Sequence, residues 1–130
     1  MTLTEENYVD LAEEAIDELK KMKDKKERDI PIVSTSKIRN LLAMTADIYN
    51  DVLNVRADKL PAEVVGRIRY LKIRFVYEAG RERSVRNLVE KAKILECLNK
   101  IGESKQRYIL FSRYIEALVA FRKFKGGKDE

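Results

Sequence analysis

The sequence predicts an all-α protein, a compact bundle of about five helices forming one domain over residues 1–130. Three observations carry that reading. Apolar residues recur at three- and four-residue intervals in five segments. No segment alternates apolar and polar residues in the manner of a strand. Five Gly and two Pro leave room only for short connections.

The first helix is expected to start at a Thr4 N-cap, with Glu5 and Glu6 in its first turn complementing the helix dipole. Tyr8, Ala12, Ala15, Leu19 and Met22 form its inward face, and it fades into the mixed-charge stretch KMKDKKERD before Pro31. The second helix starts around Ser34, Thr35 or Ser36, buries Ile38, Leu41, Leu42, Thr45, Ile48, Tyr49 and Val52, and ends near Asn54. Pro61 suits the first turn of a third helix, which buries Val64, Ile68, Leu71, Phe75 and Ala79 and is ended or bent at Gly80. Ser84 is the expected cap of a fourth helix, with Leu88, Ala92, Leu95 and Leu98 inward and a stop at Gly102. Ser104 caps the fifth, whose apolar face (Tyr108, Phe111, Tyr114, Ile115, Leu118, Val119, Phe121) runs to Gly126-Gly127 and a charged KDE tail. Leu110, Ala117 and Phe124 widen that face beyond a single stripe, which fits either core packing or contact with another subunit.

Charge excludes whole classes of chemistry. The chain has 27 Lys and Arg, 22 Asp and Glu and no His, a formal charge of +5. Without His there is no imidazole base and no imidazole metal ligand, so a His-dependent enzyme is ruled out and neither metal nor cofactor is expected. The single cysteine, Cys97, cannot form an internal disulfide and fits a reducing, cytoplasmic setting; flanked by Leu95 and Leu98, it reads as a buried, inert thiol. No run approaches the ~20 apolar residues of a membrane helix. The acids Glu6, Asp10, Glu13 and Asp17 repeat along the first helix opposite its apolar side, which fits a solvated or partner-facing surface better than a two-metal nuclease. No catalytic residue is assigned.

Residues 1–30 hold six basic and ten acidic side chains, residues 31–130 hold 21 and 12. The positive charge therefore sits beyond the first helix, and between residues 67 and 86 it is mostly arginine. On a helical wheel with Arg67 at zero, Arg74 falls at about −20° and Arg81 at about −40°, with Tyr70 and Tyr77 at about −60° and −80°. The apolar set centres near +80°. Three arginines thus form a stripe roughly 21 Å long, bordered by two tyrosines and set off the core face. Guanidinium groups grip phosphates and stack on bases, and tyrosine rings offer π-faces to unpaired bases, so the stripe fits a track for RNA. It equally fits a solvated helix face with Arg74 and Arg81 paired to Glu78. Lys37 and Arg39 form a second basic group, and Arg113, Arg122, Lys123 and Lys125 a third. Ser34, Thr35 and Ser36 read first as caps and second as phosphate donors.

Three strings stand together: TSKIRNLL (35–42), YLKIRFVYEAGRE (70–82) and FSRYIEALVAFRKFKGGKD (111–129). In this order and spacing the chain resembles the small helical subunit of type III-A CRISPR (Csm) effector complexes. The resemblance implies a helical bundle without enzymatic activity, stacked with copies of itself beside backbone subunits that hold the guide RNA. Small and backbone subunits together line the channel for target RNA. Cleavage would belong to the backbone subunit, and the DNase and cyclic-oligonucleotide activities to the large subunit. Carried onto this sequence, the RNA-facing basic surface falls on Lys37 and Arg39, on Arg67, Arg74 and Arg81, and, for RNA or a neighbouring copy, on Arg113, Arg122 and Lys123.

Overall fold

A computed structural model describes residues 1–126. It contains six helices among the described residues, α1 (Tyr8–Lys20), α2 (Thr35–Asn54), α3 (Ala62–Arg81), α4 (Arg83–Lys91), α5 (Ile94–Ile101) and α6 (Lys105–Phe124). The only strand-like pairings there are two isolated bridges, Lys23 with Asp29 and Lys59 with Ser104, so the fold is all-α as predicted. Gly127 and the KDE tail lie outside the described residues.

Ser34 and Ser104 cap α2 and α6 as the sequence predicts, whereas α1 starts at Tyr8 with Asn7, and not Thr4, at its N-cap position. Thr4 and Asn7 cap each other reciprocally: Thr4 Oγ1 accepts from the Asn7 amide at 3.1 Å and Asn7 Oδ1 from the Thr4 amide at 2.8 Å, which orders the turn leading into α1. Ser34 Oγ accepts from the Lys37 amide at 3.2 Å and Ser104 Oγ from the Arg107 amide at 3.1 Å, satisfying amides that have no partner inside α2 and α6. Gly80 does not end α3, which runs one residue further and turns at Glu82. Glu82, and not Ser84, is the N-cap of α4.

The expected fourth helix is two helices. Between them Lys93 adopts the left-handed conformation, φ 55° and ψ 41°. The reason lies in the phase of the apolar residues. On one continuous helix, Val85, Leu88, Val89 and Ala92 would centre about 180° away from Ile94, Cys97, Leu98 and Ile101. The break at Lys93 rotates the second set back, and all eight are buried. Leu95, which a continuous helix would bury, is only half-buried.

α6 packs against α1, α2 and α5, while α3 packs against α2, α4 and α5. Phe75 of α3 meets Phe111 of α6 edge-on, ring centres 6.2 Å apart, and both are fully buried. Buried hydroxyls find backbone partners: Tyr108 Oη donates to the Thr45 carbonyl at 2.6 Å and Tyr114 Oη to the Ala92 carbonyl at 2.8 Å. Arg122 is 2% exposed, with Nε donating to the Val33 carbonyl at 2.7 Å and Nη1 to the Gly126 carbonyl at 3.0 Å. It fastens the end of α6 to the segment entering α2. Of the wider apolar face of α6, Leu110 and Tyr114 are buried, whereas Phe124 is 81% exposed.

Arg122→Ala removes these donors, leaving carbonyls without partners and a void; it should lower stability by about 2–4 kcal/mol, read from urea unfolding. Lys93→Gly should raise stability by about 0.5–1 kcal/mol in the same assay, because glycine enters the left-handed region without a Cβ penalty. Cys97 is buried, and that burial pushes its thiol up to about 11. A folded state that holds the proton more tightly keeps its full advantage below the unfolded value near ~8.5 and loses it as pH rises through the folded value. Between those limits wild type should therefore lose stability more steeply than Cys97→Ala.

Candidate nucleic-acid interface

The 20 residues of α3 carry the basic stripe along an outer face. Burying Val64, Ile68, Leu71 and Phe75 fixes the helix's rotation. With the core side fixed, Arg67 and Arg74 project on the shoulder facing α2, exposed Arg81 continues their line, and Tyr70 and Tyr77 stand beside them 59% and 64% exposed. Met44 and Asp47 of α2 line a groove there with Arg67, Tyr70 and Arg74 of α3.

The three arginines differ in their partners. Arg67 pairs with the carboxylate of Asp51 and donates to the Asp47 carbonyl at 3.4 Å, bridging α3 to α2. Arg81 pairs with Glu78 at 3.1 Å, and its guanidinium carbon lies 5.7 Å from the centre of the Tyr77 ring. Arg74 is exposed and makes no ion pair among the described residues. The alternative in which Glu78 serves both arginines is thus realised for Arg81 alone. Each observed pair is solvent-facing, and such pairs are worth only about 0–1 kcal/mol. A phosphate can therefore take the place of the carboxylate at small cost.

The other basic groups are scattered. Lys37 pairs with Glu82 at 2.8 Å, which ties the start of α2 to the corner between α3 and α4 and brings Lys37 near the end of the stripe. Arg39 is exposed. Arg113 pairs with Glu5 at 3.4 Å, and Lys125 with Glu13 and Asp17 at 2.7 and 3.3 Å, where α6 meets α1 and the segment before it. The hydrogen bond to Glu13, more than anything else, raises the Lys125 pKa. Lys123 is exposed on the last turn of α6. Arg122, placed in this basic group by sequence, does not belong to the surface at all: its guanidinium is the buried cross-link between α6 and Val33. Position on the wheel carried the signal, since Arg122 continues the line of Phe111, Ile115 and Leu118.

Arg69 and Lys72 count toward the basic charge of residues 67–86 in the sequence, but their place off the stripe, and the outward apolar residues of α3, were not read there. Arg69 and Lys72 extend its positive charge onto the shoulder facing α5, where neither forms an ion pair among the described residues. Ile73 and Val76 stand outward at 62% and 47% exposure. As for catalysis, no group of three or more His, Cys, Asp or Glu side chains able to hold a metal ion occurs among the described residues. No described helix is long and apolar enough to cross a membrane.

Comparison with known proteins places this arrangement. The family model "Csm2 Type III-A" matches residues 5–128. A protein of Streptococcus thermophilus named "CRISPR system Cms protein Csm2" is 45% identical over 129 residues, covering 98% of each chain. Proteins of the same name are 36% identical over the full length of both chains in Mycobacterium tuberculosis, strain CDC 1551 / Oshkosh, and 33% identical in Enterococcus italicus, over 89% of this chain and 87% of that one. With a basic outer helix on an all-α scaffold, and with the family model and these relatives spanning nearly its whole length, this chain belongs to the type III-A Csm2 family of CRISPR systems.

Proposed function

We propose that this chain is the non-catalytic small subunit of a cytoplasmic type III-A CRISPR effector complex. It stacks with copies of itself beside the backbone and large subunits and holds target RNA while that RNA is paired to the guide. The observation that carries this reading is the aligned set Arg67, Arg74 and Arg81 on an exposed face of α3, with Tyr70 and Tyr77 alongside. Lys37 and Arg39 extend the surface from α2, and Arg113 and Lys123 offer further contacts from α6.

The mechanism is recognition of charge and shape. Arg74 meets a phosphate directly, and Arg67 and Arg81 exchange their carboxylate partners for phosphates. The tyrosine rings take unpaired bases by stacking. None of these contacts reads sequence, which is supplied by pairing between guide and target. One copy offers few phosphate contacts, so affinity comes from several copies in line. Chemistry on the RNA is left to other subunits: the chain has no His, and its one thiol is buried with its pKa pushed up to about 11.

A second reading, a spacer that touches only protein, is favoured by α1. Glu6, Asp10, Glu14 and Glu18 recur every four residues, are exposed, and make no ion pair among the described residues. The acidic face of one copy then suits the arginines of the next.

The triple variant Arg67→Glu, Arg74→Glu, Arg81→Glu in a reconstituted complex separates the two. Under the RNA reading it incorporates normally, binds target more weakly, and flattens the slope of log affinity against log salt by roughly 2–2.7, the loss of three phosphate contacts. Failure to incorporate, with the isolated variant keeping its far-UV circular dichroism and thermal midpoint, would make the stripe a subunit interface and favour the spacer reading instead.

A further inference from the structure

The outermost line of α3 is covered by no element among the described residues. Gly66, Tyr70, Ile73, Tyr77 and Gly80 follow one another at intervals of four, three, four and three residues. That is the spacing of a seam along which a second helix packs. Single exposed apolar residues are ordinary on protein surfaces, but here Tyr70, Ile73, Val76 and Tyr77 cluster within about two turns of one helix.

The two glycines point to something outside the chain. Both lie within α3 and neither has a positive φ. A Cβ built on Gly66 or on Gly80 meets nothing within 4 Å. Neither backbone conformation nor internal packing requires glycine there, although glycine weakens a helix relative to alanine. What glycine does provide is close approach by another backbone.

From this seam the surface falls away on both sides. Toward α2 stand the arginines assigned above to RNA. Toward α5, Val65, Ile73 and Val76 form a groove with Leu98, and Arg69 and Lys72 bound it. Aliphatic side chains offer RNA neither a stacking face nor a hydrogen bond, so this shoulder suits protein.

We propose that the α3–α5 groove docks an amphipathic helix from a different protein subunit, one with a small or aliphatic seam flanked by Asp or Glu. Charge complementarity to Arg69 and Lys72 selects the acidic flank on that side. The same argument disfavours a second copy of this chain. Packing α3 on α3 sets arginine against arginine in either orientation. α1 supplies acids, but the only large apolar residue exposed on it is Val9, which cannot cover Ile73 and Val76. The groove contacts Val65, Ile73 and Val76 lie on the shoulder opposite the arginine stripe, whereas Tyr70 and Tyr77 on the seam between are covered by the docked helix and are then closed to RNA bases.

The test places a photo-crosslinking residue, Ile73→p-benzoylphenylalanine, in the complex reconstituted with its companion subunits, with the same residue at Glu14 as control. The expected result is a crosslink from position 73 to a helical segment of another subunit that carries Asp or Glu beside a small or aliphatic seam. Adding Gly66→Leu or Gly80→Leu should cut the crosslink yield about fivefold, the scale of losing one significant interface contact. Far-UV circular dichroism and thermal midpoint of the isolated variants should stay unchanged or rise, which separates lost docking from lost folding. A crosslink to RNA, a crosslink to another copy of this chain, no crosslink, or a yield indifferent to the glycine substitutions would each overturn the proposal.

Discussion

A helix buried around most of its circumference must satisfy its polar groups within the protein, and α6 is such a helix. Tyr108, Tyr114 and Arg122 each lie within it, each is at most 2% exposed, and each donates to a carbonyl of another segment: Thr45 in α2, Ala92 at the end of α4, Val33 before α2. An unpaired buried donor or acceptor costs about 1–3 kcal/mol, so these bonds specify where the neighbours sit as well as holding them. α2 and the end of α4 are located by α6, and α3 is located in turn by α2, α4 and α5. The functional helix is thus a second-order consequence of the central one. It needs only one buried side, which leaves the rest of its circumference available.

Electrostatics then divides that circumference. Most basic residues near α2 have an acidic neighbour within the chain, Arg67 with Asp51, Arg81 with Glu78, Lys37 with Glu82. Such solvent-facing pairs orient the side chains without committing them strongly. A face of loosely paired arginines around Arg74, which has no ion pair among the described residues, retains a positive field and can trade partners when a polyanion arrives. On α6, by contrast, Lys125 faces two carboxylates of α1, and the Glu13 bond raises its pKa. That charge is spent on joining helices.

The bounds of α2 and the start of α6 were legible because they depend on local chemistry. Ser34, Ser104 and the end of α2 at Asn54 follow from capping and apolar spacing within a few residues. The division at Lys93 carried a signal of another kind, a half-turn shift in apolar phase, which appears only when residues 85–92 and 94–101 are plotted as separate sets. No glycine or proline marks it; tertiary burial of both sets forces a lysine into the left-handed region. Arg122 misled because residue type outweighed position. Its place in line with Phe111, Ile115 and Leu118 foretold burial, but its carbonyl partners come from Val33, 89 residues away, and from Gly126, where the chain leaves α6. The arginine stripe was readable as a pattern, whereas the state of each arginine depended on Asp51 and Glu78, and Asp51 lies on another helix.

Two shoulders on one helix also differ in how they respond to salt. Phosphate contacts on the α2 side release counterions and weaken steeply as ionic strength rises. Burial of Val65, Ile73 and Val76 on the α5 side is apolar and keeps its strength, apart from the screened contribution of Arg69 and Lys72 at the rim. On the two proposals above, a subunit arranged this way stays docked while RNA on its other shoulder is exchanged. With the arginine stripe and the groove of Val65, Ile73 and Val76 about 150° apart on α3, substitutions at Arg67 or Arg74 address the proposed RNA contact and substitutions at Val65 or Val76 the proposed docking, while Tyr70 and Tyr77 between them bear on both.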